Sequence, residues 1–203
     1  MADAGRVIAG SARGRRLETP GEGTRPLGDR VKQTLFAVLE GKAMGAWPVP
    51  FLDLFAGSGA GGIEALSRGA PSAVFVDRDP RAIRTIETNL TRTGLGSTGR
   101  ARVVHADALR WLNEPPGPAG GPFGAVLVDP PYVDATLLPA LERLGGPDLG
   151  WLSHEAVVVA KHFWRDAPPE RVANLVLRRR RRLGGTQLSF YVLLSSRRGE
   201  DGP

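Results

Sequence analysis

The chain has 203 residues, 41% of them hydrophobic, enough for one domain of ordinary size with a sizeable core. It has no cysteine, which removes disulfides, thiolate zinc sites and cysteine nucleophiles together, and its apolar runs reach only about five residues against the roughly 20 that a membrane helix needs. The N-terminus "MADAGRVIAG" also lacks the apolar core of a signal peptide, so the expected place is the cytoplasm.

The net charge of +6 suits a polyanionic partner, above all nucleic acid. Of the 27 basic residues only Lys32, Lys42 and Lys161 are not arginine. A GC-rich genome produces the same skew, so charge alone does not choose a partner.

Residues 1–28 are rich in Gly, Arg and Pro, with strand-like pieces at Arg6 to Ala9 and Arg15 to Thr19. This predicts a small hairpin appended to the main fold. A helix follows from Asp29 to Glu40, with Asp29 as N-cap, Gly41 as stop, and Val31, Leu35, Val38 and Leu39 as its apolar stripe. Residues 1–41 are therefore read as an N-terminal extension, and 42–203 as the main domain.

From residue 51 strands and helices alternate. "FLDLFAG", "SAVFVD", "ARVVHA", "AVLVDP" and "EAVVVAKH" read as strands. Between them lie helices at Gly61 to Arg68, Pro80 to Thr93, around Leu109, and Ala135 to Leu144. "LVLRRRRRLGG" and "TQLSFYVLL" read as a hairpin joined through Gly184 and Gly185. The pattern predicts an α/β fold. It is a doubly wound, mostly parallel, seven-stranded Rossmann-like sheet with a C-terminal antiparallel hairpin.

In such folds ligands bind beyond the carboxyl ends of the strands. "DLFAGSGAGG" joins the first strand of the alternation to its helix, and Gly57 and Gly59 let the backbone turn tightly there. Gly57, Gly59 and Gly62 fit the G-x-G-x-x-G pattern, and Asp77 ends the next strand 20 residues after Gly57. An NAD-dependent oxidoreductase is therefore one reading. Asp53, Asp77, Asp107 and Asp129 together form a row of acids at successive strand ends. These carboxylates can accept from an amine, ribose hydroxyls and an adenine amino group. S-adenosylmethionine offers all three without a pyrophosphate to be repelled.

"VLVDPPY" ends a strand on two prolines, neither of which can donate to a sheet. Asp129 and the carbonyl of Pro130 offer acceptors, Pro131 stiffens the turn, and Tyr132 offers a face for a base to stack on. Methylating an exocyclic amine requires holding it in line with the donor, and this turn is a clamp for a planar amino group.

"DPPY" after "DLFAGSG" resembles the S-adenosylmethionine-dependent amino-methyltransferases. Together "RVIAGSARGRRLETP", "TRPLGDRVKQTLFAVL", "FLDLFAGSGAGGIEALSRGA", "VFVDRDPRAI" and "LGGTQLSFYVL" resemble the ribosomal RNA small subunit methyltransferase D family, over nearly the whole chain. The resemblance implies a 16S rRNA (guanine-N2) methyltransferase acting on a partly assembled small subunit, with a monomer expected. It implies cofactor contacts from Asp53, Phe55, Gly57, Gly59, Asp77, Asp107 and Ala108. Asp129, Pro130, Pro131 and Tyr132 would receive the guanine, and Arg13, Arg15, Arg16, Arg25 and Arg30 would hold RNA phosphates. The chain departs from the family at Leu27, where Thr is usual, at Gln33, where Glu is usual, and near Lys161, where an acid is frequent. An adenine-N6 methyltransferase would share the clamp, and a non-catalytic RNA-binding module would not need the acidic rim.

His105, His154 and His162 have no metal-ligand spacing, so no metal is expected. Trp47, Trp111, Trp151 and Trp164 read as core or rim anchors. Arg178 to Arg182 alternate faces on a strand, which suits a solvated edge that discourages strand pairing, or a second RNA contact.

Overall fold

The computed structural model describes residues 3–21, 27–41, 47–117, 120–131, 135–146 and 150–194. The strands β1 (Asp3–Arg6) and β2 (Arg16–Glu18) pair antiparallel, and α1 (Asp29–Leu39) follows. The alternation then runs β3 (Phe51–Leu54), α2 (Ala60–Ser67), β4 (Ala73–Asp77), α3 (Pro80–Thr93), β5 (Ala101–His105), α4 (Ala108–Trp111), β6 (Phe123–Val128), α5 (Leu137–Leu144) and β7 (Leu152–Phe163). It closes with β8 (Arg171–Val172), β9 (Leu175–Leu183) and β10 (Thr186–Leu193).

The large sheet has the order β5-β4-β3-β6-β7-β10-β9-β8. The five strands from β5 to β7 are parallel, and β10 runs against both β7 and β9. An eighth strand, the two-residue β8, joins the seven expected, because a segment that short carries no periodicity to read.

The parallel strands are apolar on both faces, as two covered faces require. On one side Phe51, Phe75, Leu127, Val159 and Phe190 pack under α1, α2 and α3. On the other, Leu52, Val76, Val126, Val158 and Tyr191 pack under α4 and α5. α3 shows why its boundaries are legible. Asp79 caps it by accepting from the Arg81 N–H at 2.8 Å, Pro80 opens it, and Gly94 at φ 72° closes it.

α1 begins one residue earlier in its capping than expected. Gly28 is its N-cap, because the Asp29 carboxylate faces Arg6 at 3.2 Å and Lys32 at 3.4 Å instead of the helix N–H groups. The N-terminal arm is bound to α2 through Glu64, whose side chain is fully buried. It accepts from the N–H of Ile8 at 2.8 Å, the N–H of Ala9 at 3.0 Å and Arg68 Nε at 2.7 Å. Asn89 of α3 accepts from the Glu18 N–H at 2.8 Å and donates to the carbonyls of Glu18 at 3.0 Å and Ser58 at 2.9 Å. One amide thus joins β2, α3 and the turn after β3. Among the described residues no helix is long and apolar enough to cross a membrane.

Candidate active site at the strand ends

The strand order reverses between β3 and β6. From β3 the chain proceeds outward through β4 and β5, then returns to place β6 and β7 on the other side. Loops leaving two such strands diverge to opposite faces and open a crevice. The turn after β3 carries the glycines, and the turn after β6 carries the acid and prolines. Leu54 and Val128 are paired in register, and the Asp129 N–H reaches the Leu54 carbonyl at 3.3 Å, so the two turns start side by side.

A cavity of about 460 Å³ fills this crevice. Asp53, Phe55, Gly57, Asp77, Ala108, Asp129, Pro130 and Pro131 line it, so the structure brings most of the cofactor and catalytic candidates to one place. Gly59 and Asp107 lie beside it. Gly59 is the N-cap of α2 at φ 74°, and Asp107 caps α4 by accepting from the Arg110 N–H at 3.0 Å. Tyr132 and Arg25 lie outside the described residues.

The glycine turn is shaped by acids of the chain itself. Gly57, at φ 56°, donates its N–H to Asp77 Oδ2 at 2.8 Å, and Asp77 Oδ1 accepts from the Asp79 N–H at 2.9 Å. Gly62, in the first turn of α2, donates to Asp53 Oδ2 at 2.7 Å. Phe55 holds φ 60°, a left-handed conformation uncommon for a non-glycine residue, at the bend between strand and cavity. Gly62 has a different task from Gly57. A Cβ there would sit 2.3 Å from the Phe75 ring, so this glycine lets α2 close onto the sheet.

Lys161, near the carboxyl end of β7, stands where the sequence departs from the family pattern. The structure puts it in the cavity wall, where its Nζ donates to Asp129 Oδ1 at 2.6 Å. Both side chains are largely buried, at 5% and 17% exposure. Its signal was present in the sequence, as one of three lysines in an arginine-rich chain at the end of an apolar strand. Pro20 and Leu27 also line the cavity, which makes the N-terminal arm part of its wall. Arg78 and Asp79 complete the rim.

Burial raises the pKa of Asp53 to about 8, and the nearby Asp129 and Asp77 charges push in the same direction against the Gly62 hydrogen bond. Burial likewise raises Asp129 above the ordinary carboxylate range, with the Lys161 charge pulling it back.

The arginines expected to hold RNA are divided. Arg13, Arg15 and Arg16 are exposed on or beside a loop whose Ser11 N–H donates to the Ser67 carbonyl at 2.9 Å. That is the far end of α2, about 12 Å from its cavity end at the helical rise. Arg30 is exposed in the first turn of α1, shortly after the cavity-lining Leu27. Among the described residues no cluster of His, Asp or Glu is placed to hold a metal.

The sheet and its strand-end crevice define a doubly wound fold of the methyltransferase type. Residues 5–192 match the family model described as Conserved hypothetical protein 95, and the chain belongs to that family. It is 36% identical over 187 residues, 92% of this chain and 88% of its relative, to the Ribosomal RNA small subunit methyltransferase D of Escherichia coli (strain K12). It is 38% identical, over 92% of this chain and 97% of its relative, to YlbH of Bacillus subtilis (strain 168), which is provisionally named an rRNA methyltransferase. The solved structure of yhhF from Escherichia coli, provisionally described as a methyltransferase, superposes with a TM-score of 0.75 at 34% identity, covering 95% of this chain and 98% of that one.

Proposed function

We propose that the protein transfers a methyl group from S-adenosylmethionine to the N2 amine of a guanine in 16S rRNA. An rRNA methyltransferase is what the names of its relatives support; the donor, the base and the atom are this proposal's own.

One observation carries the choice of cofactor. In a dinucleotide site the pyrophosphate takes the amides at the helix N-terminus. Here Asp53 Oδ2 takes the Gly62 N–H and Asp77 Oδ2 takes the Gly57 N–H. The chain's own carboxyl groups hold the donors a pyrophosphate would need, and a phosphate would meet Asp77 and Asp79 at the cavity rim. This favours a cationic cofactor without phosphates over NAD.

The residues present fit that group. Asp77 can still accept from ribose hydroxyls, since each carboxylate oxygen takes more than one hydrogen bond. Asp107 and Ala108 would border the adenine, and Phe55, Gly57 and Gly59 would give the cofactor a close backbone wall. When bound, S-adenosylmethionine supplies an electrophilic methyl on a positive sulfur. On the substrate side, Asp129 and the Pro130 carbonyl hold the N–H groups of the guanine amine while Lys161 stays on Asp129 Oδ1. Pro131 stiffens the turn, and Tyr132 offers the stacking face. Orientation of the amine is the main catalytic effect. An adenine-N6 enzyme would use the same clamp; guanine is chosen here on the resemblance of the chain's motifs to the ribosomal RNA small subunit methyltransferase D family.

The remaining assignments belong to the same proposal. Residues 1–41 form an RNA-contacting extension and 42–203 the catalytic domain. Arg13, Arg15, Arg16, Arg25 and Arg30 hold phosphates of rRNA in a partly assembled small subunit, and the enzyme works as a cytoplasmic monomer.

Calorimetry with S-adenosylhomocysteine and with NAD tests the cofactor, and tighter binding of NAD would overturn the reading. Mass spectrometry of 16S rRNA nucleosides from a strain lacking the protein tests the product. Loss of N2-methylguanosine is expected; loss of N6-methyladenosine instead would select the other enzyme.

A further inference from the structure

β7 and β9 each pair antiparallel with β10, so they run parallel to each other. The carboxyl end of β9 therefore lies on the rim that holds the cavity. Register places the arginine run on that rim. Lys161 is paired with Leu188, and Leu188 with Arg181, so Arg181 shares a row and a face with Lys161 two strands away. At ordinary strand spacing their Cα atoms are about 10 Å apart.

One residue on, Arg182 is paired with Gln187 and Gln187 with His162, so Arg182 stands on the opposite face of the sheet from Lys161 and Arg181, and a built arrangement lies there. Arg182 lies with its Cζ 3.7 Å from the centre of the Trp164 ring, and its Nε donates to the Gly184 carbonyl at 3.1 Å. Trp164 is itself tied to the hairpin, its N–H donating to the Gly185 carbonyl at 3.1 Å. Arg165 brings a second guanidinium to the same ring, at 4.9 Å. Both arginines are exposed.

Two like charges on one indole repel each other, and among the described residues neither has a carboxylate within ion-pair distance. The acids near the run are Asp166 and Glu170, and Glu170 pairs with Arg180 at 3.3 Å. A solvated edge needs charge but no such order. Stacking and the Nε bond fix the plane of the Arg182 guanidinium and leave its two terminal nitrogens to project as a fork. That is the geometry for bidentate binding of a phosphate oxygen pair, with the ordering entropy already spent.

We infer that Arg182, held flat on Trp164 with Arg165 beside it, is a phosphate fork at the carboxyl end of β9 that grips the RNA strand on its way to the cavity. This rests on the rRNA reading above. The fork lies at the same end of the sheet as Asp129 and Lys161, on the face opposite the Lys161 side chain. It contacts backbone and carries no base specificity.

The test uses the full-length protein and a fluorescein-labelled single-stranded RNA of mixed sequence, titrated over a salt series. Arg182→Gln should weaken binding roughly threefold to tenfold at 0.15 M salt and lower the log–log salt slope by about 0.7, the value for one lost single-strand phosphate contact. Trp164→Leu should do the same by freeing the guanidinium, and Trp164→Phe, which keeps a flat face, should stay within about twofold of wild type. Calorimetry with S-adenosylhomocysteine on each variant should give wild-type affinity, which also reports an intact fold. Unchanged RNA affinity and slope in Arg182→Gln would overturn the inference. So would Arg182-dependent binding to phosphatidylglycerol vesicles without Arg182-dependent binding to RNA. Failure of the wild-type protein to bind S-adenosylhomocysteine would instead remove the methyltransferase reading, and the RNA slopes would still judge the fork.

Discussion

Lys161 Nζ and Asp129 Oδ1 are 2.6 Å apart in the wall of the strand-end cavity, from the carboxyl ends of two neighbouring parallel strands. The pair explains how a carboxylate that burial pushes toward its neutral form can remain an acceptor. Removing the ammonium leaves burial unopposed and raises the Asp129 pKa further. Lys161→Met should therefore lower methyl transfer at pH 7 by roughly tenfold or more, with S-adenosylhomocysteine affinity retained. Its pH–rate profile should have the acid limb moved to higher pH, so that activity recovers in alkaline buffer. A profile parallel to wild type at all pH values would mean that Lys161 does not set the charge of Asp129.

Asp53 is expected to make stability depend on pH in an unusual direction. Its folded-state pKa of about 8 lies above the ordinary value near 4, so the folded state binds more protons than the unfolded state between these limits. Stability from this group is present at low pH and is lost as pH rises from about 4 toward 8. Asp53→Asn keeps an acceptor for the Gly62 N–H and removes the titration. Its melting temperature should fall less than that of wild type between pH 5 and pH 8, and two curves of equal slope would refute the assignment.

Glu64 carries the docking of the N-terminal arm. Glu64→Ala strands two backbone N–H groups and leaves Arg68, whose side chain is only 11% exposed, with Glu40 as its remaining acid partner. Breaking a buried pair of this kind costs about 3–5 kcal/mol. Thermal denaturation should show that loss, and limited proteolysis should cut the chain before residue 20 faster than in wild type. Unchanged proteolysis would place the anchor of the arm elsewhere.

Gly62→Ala separates the two kinds of glycine in the turn. The added Cβ would sit 2.3 Å from the Phe75 ring, inside a packed helix–sheet contact. Overpacking of this kind costs about 1–3 kcal/mol, and it should also disturb the Asp53–Gly62 hydrogen bond. Chemical denaturation of the variant checks this, and a melting curve equal to wild type would show that α2 can move away at no cost.

Much of this fold is written in local patterns. α3 announces itself with Asp79, Pro80 and Gly94, and each buried strand with a short apolar run, because capping and burial act within a few residues. The glycine turn and the Asp129–Pro131 turn were legible for the same reason: the chemistry of a strand end needs particular residues in a row. β8 was not legible, since two residues hold no period.

Contacts between distant segments required the fold. Nothing near Lys161 in the chain says that β6 will lie beside β7 and bring Asp129 within 2.6 Å. Pro20 and Leu27 join the cavity wall only because Glu64 and Asn89, far along the chain, hold the arm in place. The run Arg178 to Arg182 reads as repeated charge, and its direction toward the cavity rim follows from the shared pairing of β7 and β9 with β10. Sheet order and register are set by burial summed over the whole core, so the position of a side chain relative to residues a hundred places away is a property of packing rather than of its neighbours in sequence.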